Sequence, residues 1–225
     1  MRPFSVILAE AASRKGGLAA LEAKLGETPV LPRDRIAALP DHRILAAMTR
    51  RIFSAGFSAP VIAAKWPAFE SAFRDFDPQA CAALTDEDID ALAADRGIVR
   101  NRAKIDAVRV NAALLVALAR EHGSAARFLA DWPEEDLVGL LRLLQERGRH
   151  LGGDSGMRVL RAIGKPAFVT TRDVVAALIR EGVVARAPSS ARDLALVQRA
   201  FNRWSAESGR NLTEISRILA LSVPS

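Results

Sequence analysis

Apolar residues recur at three- and four-residue spacing along this 225-residue chain, and no segment alternates convincingly with period two. Such spacing lays an apolar stripe along one side of a helix and offers no pleated face for a sheet to bury. Alanine, leucine and arginine, all good helix formers, dominate. The punctuation agrees. Asp77-Pro78 reads as an N-cap with proline at the first helical position. Thr85 and Asp88 have the spacing of a capping box, and Gly97 reads as the stop. The next helix carries its stripe at Ile105, Val108, Leu115 and Leu118 and ends at Gly123. Pro133 opens another through Leu137, Leu140, Leu141 and Leu144, with Gly148 beyond. Further helices are expected over residues 157–163, 173–181, 193–208 and 213–221, with Gly182 and Gly209 closing the second and third. The expected fold class is all-α.

Connections are short and no Gly/Ser-rich linker divides the chain, so a single domain over residues 1–225 is expected. Residues 26–40, with Pro29, Pro32 and Pro40, read as a loop between an N-terminal arm (1–40) and a helical core (41–225). Half the residues are hydrophobic, which argues against disorder. No run of about 18 apolar residues exists to span a bilayer, and Glu10 interrupts the short apolar stretch that imitates a signal peptide. A lone cysteine, Cys81, cannot form an internal disulfide and fits a cytoplasmic protein. A monomer is expected. The net charge of +6 favours a polyanionic partner through long-range attraction.

Two basic or glycine-rich segments carry candidate chemistry. Leu151-Gly152-Gly153-Asp154-Ser155-Gly156, followed by helical residues with Arg158 and Arg161, has the make-up of a hairpin between helices. Glycines let backbone approach a phosphate, and the next helix's first N–H groups hold it. A tight connection that binds nothing is the alternative. Arg100, Arg102, Lys104 and Arg109 crowd the start of the helix after Gly97. Cations there oppose the helix dipole, so a phosphate contact and an arginine bonding a neighbouring loop's carbonyls stand as equal readings beside a solvated face.

The strings Ala55-Gly56-Phe57-Ser58, Phe76-Asp77-Pro78 and Ile98-Val99-Arg100-Asn101-Arg102, the last followed by Lys104-Ile105, carry a resemblance. In them the chain resembles the DNA-3-methyladenine glycosylase I family of the helix-hairpin-helix superfamily. The resemblance implies a helix-hairpin-helix glycosylase-like bundle with the hairpin near residues 151–156. It also implies hydrolysis of the N-glycosidic bond of a damaged, alkylated base in base excision repair, on double-stranded DNA. A noncatalytic DNA-binding relative on the same scaffold is the alternative. Gly152, Gly153, Ser155, Gly156 and Arg158, with Arg100 and Lys104, are the expected DNA contacts.

An enzyme acting on a base takes it out of the stack and holds it against aromatic surface. Arg51, Phe53, Phe57 and Trp66 are the expected base-pocket residues; core packing is the competing role for the aromatics. The family's glutamate, four residues before Ala55, is Arg51 here, and its stacking tryptophan is Ala59. An arginine about 4 Å from a cationic base would repel it by roughly 4 kcal/mol at an effective dielectric near 20. Either Arg51 turns outward to DNA phosphate or the substrate is not a cationic purine. The family's structural zinc has no match: Cys81 is single, and His42, His122 and His150 are scattered. No cofactor is expected. Asp173 is the one carboxylate nominated for catalysis, against the competing role of a first-turn residue behind a Thr170 or Thr171 cap. Lys165 is the only lysine close to the hairpin, which gives lyase chemistry little support.

Overall fold

The computed structural model of the chain describes residues 1–224, and they contain helices and no strand. The spacing of apolar residues therefore identified the class. In chain order the helices are α1 (Phe4–Lys15), α2 (Leu18–Gly26), α3 (Arg33–Ala37), α4 (Asp41–Ser54), α5 (Ala59–Ala72), α6 (Pro78–Ala82) and α7 (Asp86–Ala94). They continue with α8 (Arg102–His122), α9 (Ala125–Asp131), α10 (Leu137–Arg147), α11 (Asp154–Ala162), α12 (Arg172–Arg180), α13 (Ala191–Ser208) and α14 (Leu212–Leu221). Among the described residues, none of these is long and apolar enough to cross a membrane.

The expected caps are formed. Asp77 accepts a hydrogen bond from the Ala80 N–H at 2.7 Å and starts α6. Thr85 and Asp88 exchange both bonds of a capping box, contributing about 1 kcal/mol. Gly97 does not end α7, however. That helix stops at Ala94, and Asp95 Oδ1 accepts from the Gly97 N–H at 2.7 Å, so the turn precedes the glycine. The expected loop over residues 26–40 contains α3, which begins behind Pro32, where a fixed φ suits the approach to a helix.

The described residues divide into two compact units. The first comprises Met1–Leu31, Pro133–Leu140 and the chain from Gly164 onward. Here α1 packs on α2, α13 and α14, and α14 packs on α12. Its core holds Phe4, Ile7, Leu21, Phe168, Phe201 and Trp204, all essentially inaccessible. Gly164 has φ 85°, and a Cβ there would lie 2.5 Å from Leu31 Cγ. Only glycine permits both that backbone and that contact.

The second unit comprises Pro32–Trp132 and Leu141–Ile163. The 21-residue α8 is its axis, contacting α4, α6, α7 and α9, while α11 packs on α4. Ile105, Val108, Leu115 and Leu118 are fully buried as their spacing predicts, each contributing about 1.5–3 kcal/mol. An aromatic row supports α4 and α5: Phe53 lies 4.7 Å from Phe69, and Trp66 lies 5.7 Å from Phe69 and 5.2 Å from Phe76, between ring centroids.

Candidate nucleic-acid interface

Within the second unit, three segments distant in sequence converge on one cavity of about 330 Å³, lined by Ile52, Ala55, Lys104, His150, Gly152 and Ser155. The first is the end of α4, which leaves the Ala55 carbonyl beyond the last helical turn. The second is the start of α8, capped by Asn101, whose side chain accepts from the Lys104 N–H at 3.1 Å. That cap fixes Lys104 so that its Nζ donates to the Ala55 carbonyl oxygen. The same ammonium lies 5.3 Å from the centre of the Phe57 ring and 5.9 Å from that of Phe53. Burial pulls its pKa below the ordinary lysine value, because desolvation disfavours the charged form.

The third segment is the turn between α10 and α11. Asn111, fully buried on α8, grips it from below. Its Nδ2 donates to the Arg149 carbonyl at 3.1 Å, and its Oδ1 accepts from the Arg149 N–H at 2.8 Å. The glycines divide by role. A Cβ on Gly148 would meet the Leu144 carbonyl at 2.7 Å, and one on Gly156 would meet the Leu151 carbonyl at 2.7 Å. Those two let the turn close, and Gly156 is itself buried. Gly153 (φ 58°) has open space around it, and Gly152 lines the cavity. Ser155 also lines the cavity, one residue into α11.

Arg51 turns toward the hairpin, to a partner not weighed from the sequence. Its Nη2 donates to Asp154 Oδ1 at 3.1 Å, and its Nε is buried without an acceptor. Asp154 Oδ2 also accepts from Arg158 Nε at 2.8 Å. Burial would raise the Asp154 pKa, but Arg158 and Arg51 outweigh it and hold the carboxyl below its usual range. Both arginines nominated at the hairpin and the pocket are thus fastened to one carboxylate.

The basic cluster after Gly97 separates in the same way. Arg102 Nε donates to Asp90 at 2.6 Å. Arg109 bonds the Leu84 carbonyl at 3.2 Å and Asp86 at 2.9 Å, the loop-bracing role. Arg100 is exposed. Of the aromatics, Phe53 is buried, and Trp66 stacks in the core row under the Arg50 guanidinium, 4.4 Å from its ring centre. Phe57 alone presents much of its ring to solvent, at 44% exposure.

Asp173 belongs to the first unit. It is exposed in the first turn of α12, two residues after Thr171, whose hydroxyl caps the helix by accepting from the Val174 N–H at 3.3 Å. The residues present do not fit the family's zinc. Cys81 is buried, its thiol donates to the Phe73 carbonyl at 3.0 Å, and burial aided by Asp77 pushes its pKa up to about 12. A zinc ligand would have to be a thiolate. Among the described residues no group of three or more His, Cys, Asp or Glu side chains could hold a metal.

Sequence reasoning assigned no role at this site to three participants: Asn111, His150 and Ile52. Asn111 left a trace, being a polar residue amid a stripe that buries both neighbours one turn away. A buried amide must find partners, and those partners are the backbone of the hairpin turn.

Known proteins resemble this chain in part of its sequence and in fold. The family model for methyladenine glycosylases matches residues 37–139. The DNA-3-methyladenine glycosylase of Haemophilus influenzae is 38% identical over 64 residues, 28% of this chain and 35% of that protein. The match thus spans about a third of the relative's length. A crystal structure of a 3-methyladenine DNA glycosylase I variant in complex with 3-methyladenine superposes with a TM-score of 0.50 at 25% identity, covering 56% of this chain and 77% of that one. Another variant, from Staphylococcus aureus, gives a TM-score of 0.50 at 24% identity, covering 60% and 79%, a likeness of fold. Arg51, Phe57, Arg100 and Lys104 fall inside the matched residues 37–139; the hairpin and Asp173 lie beyond them.

Proposed function

We propose, for a chain whose residues 37–139 match the family model for methyladenine glycosylases, that it acts in DNA repair by holding a damaged nucleotide turned out of duplex DNA. The observation that carries this reading is the shared cavity: the family-matched corner of Ala55 and Lys104 and the hairpin residues Gly152 and Ser155 line the same space. Backbone around Gly153 and the first turn of α11 receives a phosphate, with exposed Arg100 adding charge along the strand. Phe57 offers the extruded base an aromatic surface. In the catalytic form of this reading, the bond between C1′ and the base nitrogen breaks. The base leaves with that electron pair, which turns a cationic methylated purine into the neutral free base, and water adds its oxygen to C1′ and gives up a proton to solvent, leaving an abasic site. Asp173 is the carboxylate nominated to stabilise the positive sugar.

A second reading, DNA binding without turnover, is favoured by Arg51 and Ala59 standing where the family has its pocket glutamate and tryptophan. One experiment separates them. The protein is incubated with duplex DNA treated with a methylating agent, and released bases are separated by chromatography. Release of a methylated purine that is lost in Asp173→Ala supports the enzyme. Salt-sensitive binding of the duplex without release supports the binder. Absence of both overturns the two readings together.

A further inference from the structure

Hydrolysis in the cavity of the second unit needs a group that receives the proton water loses. Of the lining residues, Ile52, Ala55 and Gly152 have no side-chain base. The Lys104 ammonium is a donor, committed to the Ala55 carbonyl. The Ser155 hydroxyl accepts hydrogen bonds but is too weak a base to keep a proton near neutral pH. His150 is the lining residue that remains, and a neutral imidazole has one nitrogen lone pair able to take a proton in that range.

Two further observations single it out. His150 has φ 58°, a left-handed conformation that glycine adopts freely and that crowds the Cβ of other residues. Gly148, Gly152, Gly153 and Gly156 surround it in sequence, yet this strained position carries a ring. Its neighbours hold it there: Asn111 fastens the N–H and the carbonyl of Arg149, and Leu151 is buried. His150 itself is exposed, and among the described residues no hydrogen bond or ion pair engages its imidazole. A fixed backbone bearing a free ring, on the cavity wall and open to solvent, suits a group that takes a proton inside and releases it outside.

Resting on the catalytic form of the proposed function, we propose that His150 is the general base of the hydrolysis. An oxygen lone pair of water forms the bond to C1′. One O–H bond of that water breaks, its electrons staying on oxygen and its proton passing to the free imidazole nitrogen. The pair of the broken C1′–N bond leaves with the base, and the imidazolium then gives its proton to solvent.

The test uses the full chain and duplex DNA treated with a methylating agent, with protein in excess so that a single turnover is read. His150→Gly removes the ring at a backbone position that suits glycine, so its melting temperature should match that of the parent. Its rate of methylated-base release should fall by about a hundredfold or more, while its affinity for the duplex stays within about twofold. Added imidazole should raise that rate by at least about tenfold, since it fills the space the ring has left, and should not accelerate the parent. His150→Asn also tolerates the backbone but fills the space with an amide that is no base, so it should be slow and unrescued. A His150→Gly rate within about threefold of the parent overturns the inference. So does a slow rate that imidazole does not raise, or a loss of affinity that accounts for the loss of rate. Each of these leaves the repair reading intact. If the parent binds the duplex in a salt-sensitive way and releases no base, the inference falls and the DNA-binding reading stands. If it neither binds nor releases, both fall.

Discussion

Each unit contains a group of arginines and carboxylates, and the two groups differ in charge balance. In the first unit Arg2 and Arg180 are matched by Glu10 and Glu181. The wholly buried Glu181 side chain takes Arg2 Nη2 at 2.7 Å and Arg180 Nε at 2.8 Å. Arg180 also reaches Glu10 at 3.3 Å and the Ser222 carbonyl at 2.9 Å. That cluster ties the N-terminus to the ends of α12 and α14, and its charges cancel. In the second unit Arg51 and Arg158 share Asp154, Lys104 has no carboxylate, and one guanidinium N–H is left over. A larger open cavity, about 570 Å³, lies beside the balanced cluster and is lined by Arg2, Glu10, Ser13, Arg14, Arg180 and Pro224. Volume therefore does not separate the two; the size of the charge surplus does, since with Arg14 three arginines face Glu10 and Glu181 at the larger cavity, whereas Lys104, Arg51 and Arg158 have Asp154 alone. A closed ion cluster satisfies itself, whereas an open one retains attraction for an anion.

The largest effect that could break this contrast is at Glu181. Glu181→Gln keeps the shape and removes the charge, leaving two guanidinium groups without their buried partner. Loss of one member of such a cluster costs about 3–5 kcal/mol, read as a lowered denaturant midpoint at unchanged slope. Arg51→Met, on the other side of the comparison, removes a cation from a side that already has too many and leaves Asp154 its bond to Arg158. A loss below about 1 kcal/mol is expected there. Equal losses in the two variants would end the distinction.

Acid sharpens it next. Burial would raise the pKa of Glu181, but the hydrogen bonds from Arg2 and Arg180 prevail and bring it to about 2. A carboxyl whose folded pKa is depressed stabilises the fold fully above its unfolded value and loses that contribution as pH falls through the folded one. The window therefore runs from about pH 4.5 down to about pH 2, with a loss on the order of 3 kcal/mol. Stability measured across that window should fall steeply in the parent and much less in Glu181→Gln. Parallel curves would show that other carboxyls set the acid limit.

Much of the second unit was legible in the sequence for a physical reason: caps and apolar stripes are local. The Thr85–Asp88 box, the Asp77-Pro78 start and the α8 stripe depend on residues within one or two turns. The first helices were less legible. Residues 1–40 form α1, α2 and α3, yet partners such as Trp204 for Phe4 lie about 200 residues away. The site was readable as to its strings and not as to its bonds. Lys104 belongs to a recognisable string, but nothing local says that it closes on Ala55, 49 residues earlier. Arg51 and Asp154 are 103 residues apart, and nothing near either of them in sequence announces their mutual bond. Phe53, Phe57 and Trp66 carried two roles each; only burial separates the exposed Phe57 from the other two.

A similarly small effect on stability, and the one that bears most directly on DNA, is at Asp154. Its side chain is 38% exposed and its ion pairs are screened, so Asp154→Asn removes modest Coulombic energy and one favourable charge at the start of α11. Together these amount to about 1 kcal/mol. The asparagine still accepts a hydrogen bond, which keeps the turn in place. What changes is that Arg51 and Arg158 are no longer neutralised beside the hairpin. If that surplus is what attracts a nucleic acid, affinity for an undamaged duplex rises as the protein loses a little stability. The slope of log affinity against log salt then steepens by about one to two units, as each added phosphate contact contributes about 0.9. If the arginines serve only to hold α4 against α11, affinity stays level or falls with stability, and the slope does not move. Titration of the parent and the variant at several salt concentrations distinguishes the two, because a purely structural role predicts no change in the number of phosphates engaged.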